Sequence, residues 1–253
     1  MIRDQLKAAS YSIIGDRASQ QDAVGLEWSD EGMLAVVCDG MGGLQGGEYA
    51  SKTAIQIMFD AYRTQKIAEN EIPHWLRQQF DDADRAVSAL ADPAGNLLGA
   101  GSTAVAVMSY NDHLYWGSVG DSAIYYIKDD EIITVNRMHN YHLKIDEMLK
   151  SGEMQPENEA TERKRGEALI SFLGINGLTV ADTNTQPIQM ASGDIFVLAS
   201  DGLYKSLDRQ QILAIIEESG QNMQIASRRL CEEAYRLKTR KQDNTTVIAG
   251  IYL

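Results

Sequence analysis

Five aspartates stand where apolar runs begin or end: Asp22 before AVGLEW, Asp39 after MLAVVC, Asp121 after LYWGSVG, Asp201 after IFVLAS and Asp243 before NTTVIAGIYL. Short apolar runs of this kind read as buried strands, which puts the acids at strand tips. Tips gathered at one end of a β layer would crowd the carboxylates, and like charges so close repel unless a divalent cation such as Mg²⁺ or Mn²⁺ is held among them. Asp-Gly is also an ordinary turn signal. That bland reading is weaker for Asp39-Gly40 and Asp201-Gly202, because each leads from an apolar run toward a helical pattern and not into a second strand.

Competing chemistries fail on inspection. A thiol phosphatase loop needs Arg six positions after its Cys, where this chain has Leu44 and Leu237. No G-x-S-x-G elbow occurs. His139 and His142 have neither nearby cysteines nor an HExxH context, so they read as surface or lid histidines and not zinc ligands. The glycine cluster 40–47 lacks the Lys-Ser/Thr of a P-loop and reads as a tight strand-to-helix passage. The stretch 99–104 matches G-x-G-x-x-A by letter, yet TAVAVMSY reads as a strand where a dinucleotide fold needs a helix.

The elements that must position the acids follow from apolar spacing. Strands are expected near 12–14, 23–28 and 33–38, then two helices with apolar faces at Ala50, Ala54, Met58 and Tyr62 and at Leu76, Phe80, Ala83 and Val87. Runs at 103–110, 114–119, 123–127 and 132–136, separated by short polar turns, read as an antiparallel meander. From 139 to about 177 the pattern weakens to one helix near 143–150 and the polar stretch 153–167, whose length suggests a mobile element or lid. Strands near 178–180 and 195–199, helices near 209–218 and 223–237, and a last strand at 245–252 complete the chain. Paired helices between groups of hairpin strands suggest a sheet core with helices outside.

The chain has 253 residues, 44% apolar and 23% charged, with 4 prolines, a composition of ordinary globular proteins. A formal charge of −13 opposes binding to nucleic acid or an anionic membrane. No apolar run approaches the roughly 18 residues of a membrane helix. Arg3, Asp4 and Lys7 interrupt the place where a secretory signal needs an apolar core, so a cytoplasmic location is expected. Cys38 and Cys231 are the only cysteines, and Cys38, inside an apolar run, reads as a reduced core thiol.

Six segments in order, 17–22 (RASQQD), 37–43 (VCDGMGG), 101–104 (GSTA), 117–122 (GSVGDS), 200–203 (SDGL) and 243–246 (DNTT), together resemble the successive motifs of the metal-dependent type 2C protein serine/threonine phosphatases of bacterial type. The resemblance implies an α+β fold, a four-layer α-β-β-α sandwich of two mainly antiparallel sheets flanked by helix pairs, forming a single domain over 1–253 with a flap at about 139–177. It also implies hydrolysis of phosphoserine and phosphothreonine on proteins, in signalling, by a water activated at a binuclear Mg²⁺ or Mn²⁺ centre. Asp39 would bridge two ions, the Gly40 carbonyl would add a ligand to one, and Asp201 and Asp243 would bind the other. Asp22 would act mainly through bound water, Asp121 would help hold a weaker third ion, and Arg17 would grip substrate phosphate. The implied partners are phosphoproteins, with a serine/threonine kinase in opposition, and the chain is expected to be a monomer.

Three positions depart from the family pattern: Gln20 replaces the usual Asn, Met41 a His found in many members, and Ala123 an Arg. They motivate the alternative of a catalytically weak pseudophosphatase acting as a phosphoprotein-binding module. Met41 has no proton to give a leaving alkoxide. The His139-Asn140 region departs from the usual Asp-His-Ser as well.

Overall fold

A computed structural model of the chain describes residues 5–43 and 46–253; Arg3 and Asp4 at the N-terminus, and Leu44 and Gln45 of the glycine cluster, lie outside the described residues. Two antiparallel sheets form the centre. The first has the order β1 (Leu6–Ile13), β12 (Thr245–Tyr252), β11 (Ile195–Ala199), β7 (Ala123–Lys128) and β8 (Glu131–Thr134). The second runs β10 (Ile188–Gln189), β6 (His113–Val119), β5 (Ala104–Tyr110), β3 (Gly32–Met41) and β2 (Asp22–Trp28). Two short strands join its margins, β4 (Gly101–Ser102) on β3 and β9 (Asp182–Thr183) on β6.

The continuous apolar runs arise because the middle strands are buried on both faces. In β3, Met33, Ala35 and Val37 pack between the sheets, whereas Leu34, Val36 and Cys38 face helices α1 (Gly46–Thr64) and α2 (Ile72–Ser88). In β11, Phe196 and Leu198 enter the inter-sheet core, whereas Ile195, Val197 and Ala199 meet the other helical layer. That layer contains α6 (Arg209–Ser219) and α7 (Met223–Leu237). Period-two alternation thus divides each strand between two cores, giving the expected four layers.

Several local expectations need correction. The first strand begins at Leu6, not near Ser12; its residues are mostly half-buried, which blurred the alternation. The four runs from 103 to 136 are not one meander. β5 pairs with β6 and β7 with β8, but the chain changes sheets between them at Gly120, Asp121 and Ser122. Gly120 has φ +92, and a Cβ there would lie 2.6 Å from the Thr103 side chain, so this corner requires glycine.

No strand forms at 178–180, where side chains take the backbone acceptors: Arg77 donates to the Leu178 carbonyl and the Ser171 hydroxyl to that of Val180. His139 is fully buried, contrary to the surface expectation. Its backbone N–H donates to the Gly120 carbonyl at 2.8 Å, its Nδ1 accepts from Gly120 N–H at 3.2 Å, and its Nε2 lies 3.2 Å from Asp182. Burial pushes the imidazole below its ordinary pKa, which keeps the ring neutral.

Segment 139–177 is therefore fastened at its roots. Ile170 donates to the His139 carbonyl, and Leu173 exchanges two backbone hydrogen bonds with Ser102. Between the roots lie α3 (Tyr141–Ser151) and the single-turn α4 (Glu159–Glu162), where Arg163 ties Glu159 to Asp146. α3 agrees with the helix expected near 143–150, whereas ion pairs organise the part that follows it, which apolar periodicity could not reveal.

Candidate active site

The β2–β3 register sets Asp22 directly opposite Asp39. Asp39 is fixed through its backbone: its N–H donates to Thr103 Oγ1 at 3.0 Å, and its carbonyl accepts from Thr103 N–H at 2.8 Å and Ser102 Oγ at 3.1 Å. Thr103 in turn shares a 2.7 Å hydrogen bond with Ser122. Gly40 follows at a close approach of two chains. A Cβ there would come within 2.0 Å of the Gly47 carbonyl at the start of α1, so glycine lets the helix begin against the strand end.

From the other sheet, Ser200 donates to Asp22 Oδ2 at 2.8 Å and accepts from Thr246 N–H at 2.9 Å. Asp201 begins α5 (Asp201–Tyr204) and its Oδ2 pairs with Lys205. Asp121 occupies the corner between sheets, close to the Tyr204 hydroxyl, whose pKa is raised by burial first and then by the Asp121 charge. Asp243 precedes β12 and pairs with Arg17, whose side chain is 58% exposed. Asn244 braces the neighbouring loop, accepting from Gln21 N–H and donating to the carbonyls of Ile14 and Ser19.

All five aspartates thus meet at one end of the sandwich, with Gly40 and Arg17 beside them. Burial raises the Asp22 carboxyl to about 7 against the stabilising hydroxyls of Thr246 and Ser200, and the charges of Asp201 and Asp243 push it the same way. Burial likewise holds Asp39 well above the carboxylate range, reinforced by Asp22, Asp201, Asp121 and Asp243. Asp121 rises to about 6, from burial first and then from Asp201.

Sequence reasoning missed Lys205 and Tyr204. Burial alone would lower the Lys205 ammonium, yet the charges of Asp201 and Asp121 outweigh it and hold its pKa above the ordinary value. The available signal was the i, i+4 spacing of Asp201 and Lys205 on one helical face. Sequence reasoning did not single out Ser200 as a partner of Asp22, since the two are joined only by the meeting of the sheets.

The donor set suits a hard divalent cation: carboxylates plus a backbone carbonyl, with no thiolate or imidazole. Asp22 Oδ1 and Asp201 Oδ1 are buried without a hydrogen-bond partner, so oxygen acceptors are in place without donors. Among the described residues, no three His, Cys, Asp or Glu side chains are drawn into a ready coordination cage; Asp201 turns onto Lys205 and Asp243 onto Arg17. Closing such a cage requires those two side chains to yield.

A family model described as protein phosphatase 2C matches residues 11–233. The chain belongs to that family. It is 29% identical to the serine/threonine phosphatase Stp of Listeria welshimeri over 193 residues, covering 76% of this chain and 74% of that one. It is 26% identical to the protein phosphatase PhpP of Streptococcus pneumoniae over 184 residues, 72% of each chain. Among solved structures, the S. agalactiae serine/threonine phosphatase superposes with a TM-score of 0.83 at 22% identity, over 98% of this chain and 100% of that one. The catalytic domain of the phosphatase PstP, solved in complex with two manganese ions, gives 0.76 at 24% identity, over 98% of this chain and 99% of that one. The sandwich of this protein phosphatase 2C member is thus the fold of solved bacterial phosphatases. Among its described residues no helix is long and apolar enough to cross a membrane.

Proposed function

We propose that this protein phosphatase 2C member hydrolyses phosphoserine and phosphothreonine on proteins, with Asp22, Asp39, the Gly40 carbonyl, Asp121, Asp201 and Asp243 holding Mn²⁺ or Mg²⁺. Two ions are proposed, with a weaker third near Asp121. The observation that carries this reading is the opposed Asp22–Asp39 pair together with the buried, unpartnered oxygens of Asp22 and Asp201. When bound, such ions lower the pKa of water and offset charge on the phosphoryl oxygens.

The chain's own residues supply the rest. Arg17, exposed and anchored on Asp243 through one nitrogen, keeps other N–H groups of its planar fork to grip and orient substrate phosphate. Ser200, itself held by the Thr246 N–H, orients Asp22, while Thr103 and Ser102 hold the Asp39 backbone. Because Asp22 is raised to about 7 and burial with neighbouring charge shifts Asp39 in the same direction, holding a cation there competes with protons and is favoured as pH rises. A groove of about 1300 Å³, bounded by Arg17, Gln21, Tyr49, Pro93 and Asp243, opens beside these residues and gives a protein substrate room to approach.

We take 1–253 as a single phosphatase domain that acts as a cytoplasmic monomer and opposes a serine/threonine kinase in signalling. Segment 139–177 serves as the flap that selects protein substrates. The test is hydrolysis of p-nitrophenyl phosphate and a phosphothreonine peptide with Mn²⁺, Mg²⁺, Ca²⁺ or EDTA. Release is expected with Mn²⁺ or Mg²⁺ and not in EDTA; full activity in EDTA would overturn the reading. Shortening the segment within 153–165 should reduce peptide turnover more than p-nitrophenyl phosphate turnover, and equal loss on both would remove the flap role.

A further inference from the structure

A pocket of about 200 Å³ adjoins the acid cluster, and four cations line it: Arg17, Lys205, Arg240 and Lys241. Two are already paired, Arg17 with Asp243 and Lys205 with Asp201. Arg240 and Lys241 are exposed and make no hydrogen bond or ion pair among the described residues. Asp16, an acid near this rim, is taken by Lys238, Tyr235 and the Gln242 backbone N–H.

The rim that carries the free cations is anchored. Gln242, only 2% exposed, donates its side-chain amide to the Gly202 carbonyl and to Thr245 Oγ1, and accepts from Ser206 Oγ at 2.8 Å. Its backbone carbonyl accepts from Asp16 N–H at 2.9 Å, next to Arg17. Two unneutralised positive charges are therefore carried beside Arg17 by residues next to an anchored position, on a chain whose formal charge is −13.

We propose that this pocket takes a second phosphoryl group of the protein substrate, carried on a residue near the one presented to Arg17, so that multiply phosphorylated segments are preferred. The proposal rests on the phosphatase reading above. Charge complementarity selects this occupant: a phosphate dianion matches two free monocations, whereas a carboxylate would leave one unmatched. A guanidinium fork and an ammonium are both suited to phosphate oxygens. Because the contact forms away from the reacting phosphorus, it should act mainly on KM.

The experiment compares initial rates on p-nitrophenyl phosphate and on peptides bearing one phosphothreonine, with a non-hydrolysable phosphonate, a glutamate or an alanine placed in turn at positions one to three residues to either side. Wild type should show a KM about tenfold lower for the best phosphonate peptide than for its alanine counterpart, with glutamate between. Arg240→Gln/Lys241→Gln should lose that advantage while keeping wild-type melting temperature and turnover of p-nitrophenyl phosphate and the alanine peptide. An active enzyme with equal KM for phosphonate and alanine peptides, or an advantage that survives the double substitution, would overturn the second site alone. A glutamate peptide as good as the phosphonate would overturn the phosphoryl assignment. No turnover of any substrate with Mn²⁺ would overturn the phosphatase reading and this proposal together.

Discussion

Two regions of the molecule bury aspartate in opposite ways. Asp84 on α2 is 2% exposed and accepts three backbone N–H groups, from Gly174 at 2.7 Å, Asn176 at 3.1 Å and Gly177 at 2.8 Å. Asp194 is treated similarly, by the Tyr126 hydroxyl and the Ala191 N–H. At the strand tips, Asp22 and Asp201 each keep a buried oxygen with no partner, and Asp39 is hemmed in by four other acids. Hydrogen-bond donors surround the first kind of carboxylate and satisfy its oxygens, so it acts as a clamp. The second kind is left short of donors, an arrangement that costs stability unless a cation joins it. Asp22 and Asp201 are buried as Asp84 and Asp194 are, and Asp39 is half-buried; what the carboxylate oxygens face differs.

The contrast breaks most sharply at Asp39 and Asp84. Asp39→Asn should cut Mn²⁺-supported phosphate release at least about a hundredfold, since several kcal/mol of charge stabilisation depend on that carboxylate. Its melting temperature in EDTA should stay the same or rise. Asp84→Ala should do the reverse, losing about 2–4 kcal/mol in urea unfolding as three N–H groups lose a charged acceptor, with activity per folded molecule kept. If the two variants behaved alike in both assays, the distinction between clamp and cluster would fail.

A pH series sharpens the same contrast. The Asp22 carboxyl titrates near 7 in the folded protein against an ordinary value of 3.8. Between those values the folded chain holds a proton that the unfolded chain has released, so raising pH from 4 to 7 withdraws stability. Asn does not titrate, and in EDTA Asp22→Asn should therefore gain on wild type from pH 5 to pH 8, by an amount on the order of a few kcal/mol. Parallel melting curves across that range would contradict the inferred crowding. The smallest effect is expected at the exposed edge: Arg17→Ala should raise KM about tenfold with little change in kcat, as loss of one charge-assisted contact would do. An unchanged kcat/KM would remove Arg17 from the site.

The strand-tip acids were legible because β3 and β11 are buried on both faces, so MLAVVC and IFVLA end abruptly at Asp39 and shortly before Asp201. The switch between sheets at Gly120 was not legible, since a short polar turn looks the same whether it closes a hairpin or crosses to the other layer. Nor was the clamp at Asp84, whose three donors lie about ninety positions away. His139 was misjudged for the same reason: Gly120, which donates to its Nδ1, and Asp182, 3.2 Å from its Nε2, are remote in sequence. Residue type located the acids, but only tertiary contacts distinguish an acid supplied with donors from one left without them.

The most direct test is thermal melting with and without saturating Mn²⁺ for wild type, Asp201→Asn and the control Glu218→Gln, whose side chain lies in an exposed pair with Arg229. A ligand bound only by the native state raises its melting temperature. Wild type and Glu218→Gln should rise together, while Asp201→Asn, equal to or above wild type in EDTA, should gain much less. Equal Mn²⁺-induced shifts in wild type and Asp201→Asn would show that Asp201 is a turn residue and that the unpartnered oxygens at the strand tips do not await a cation.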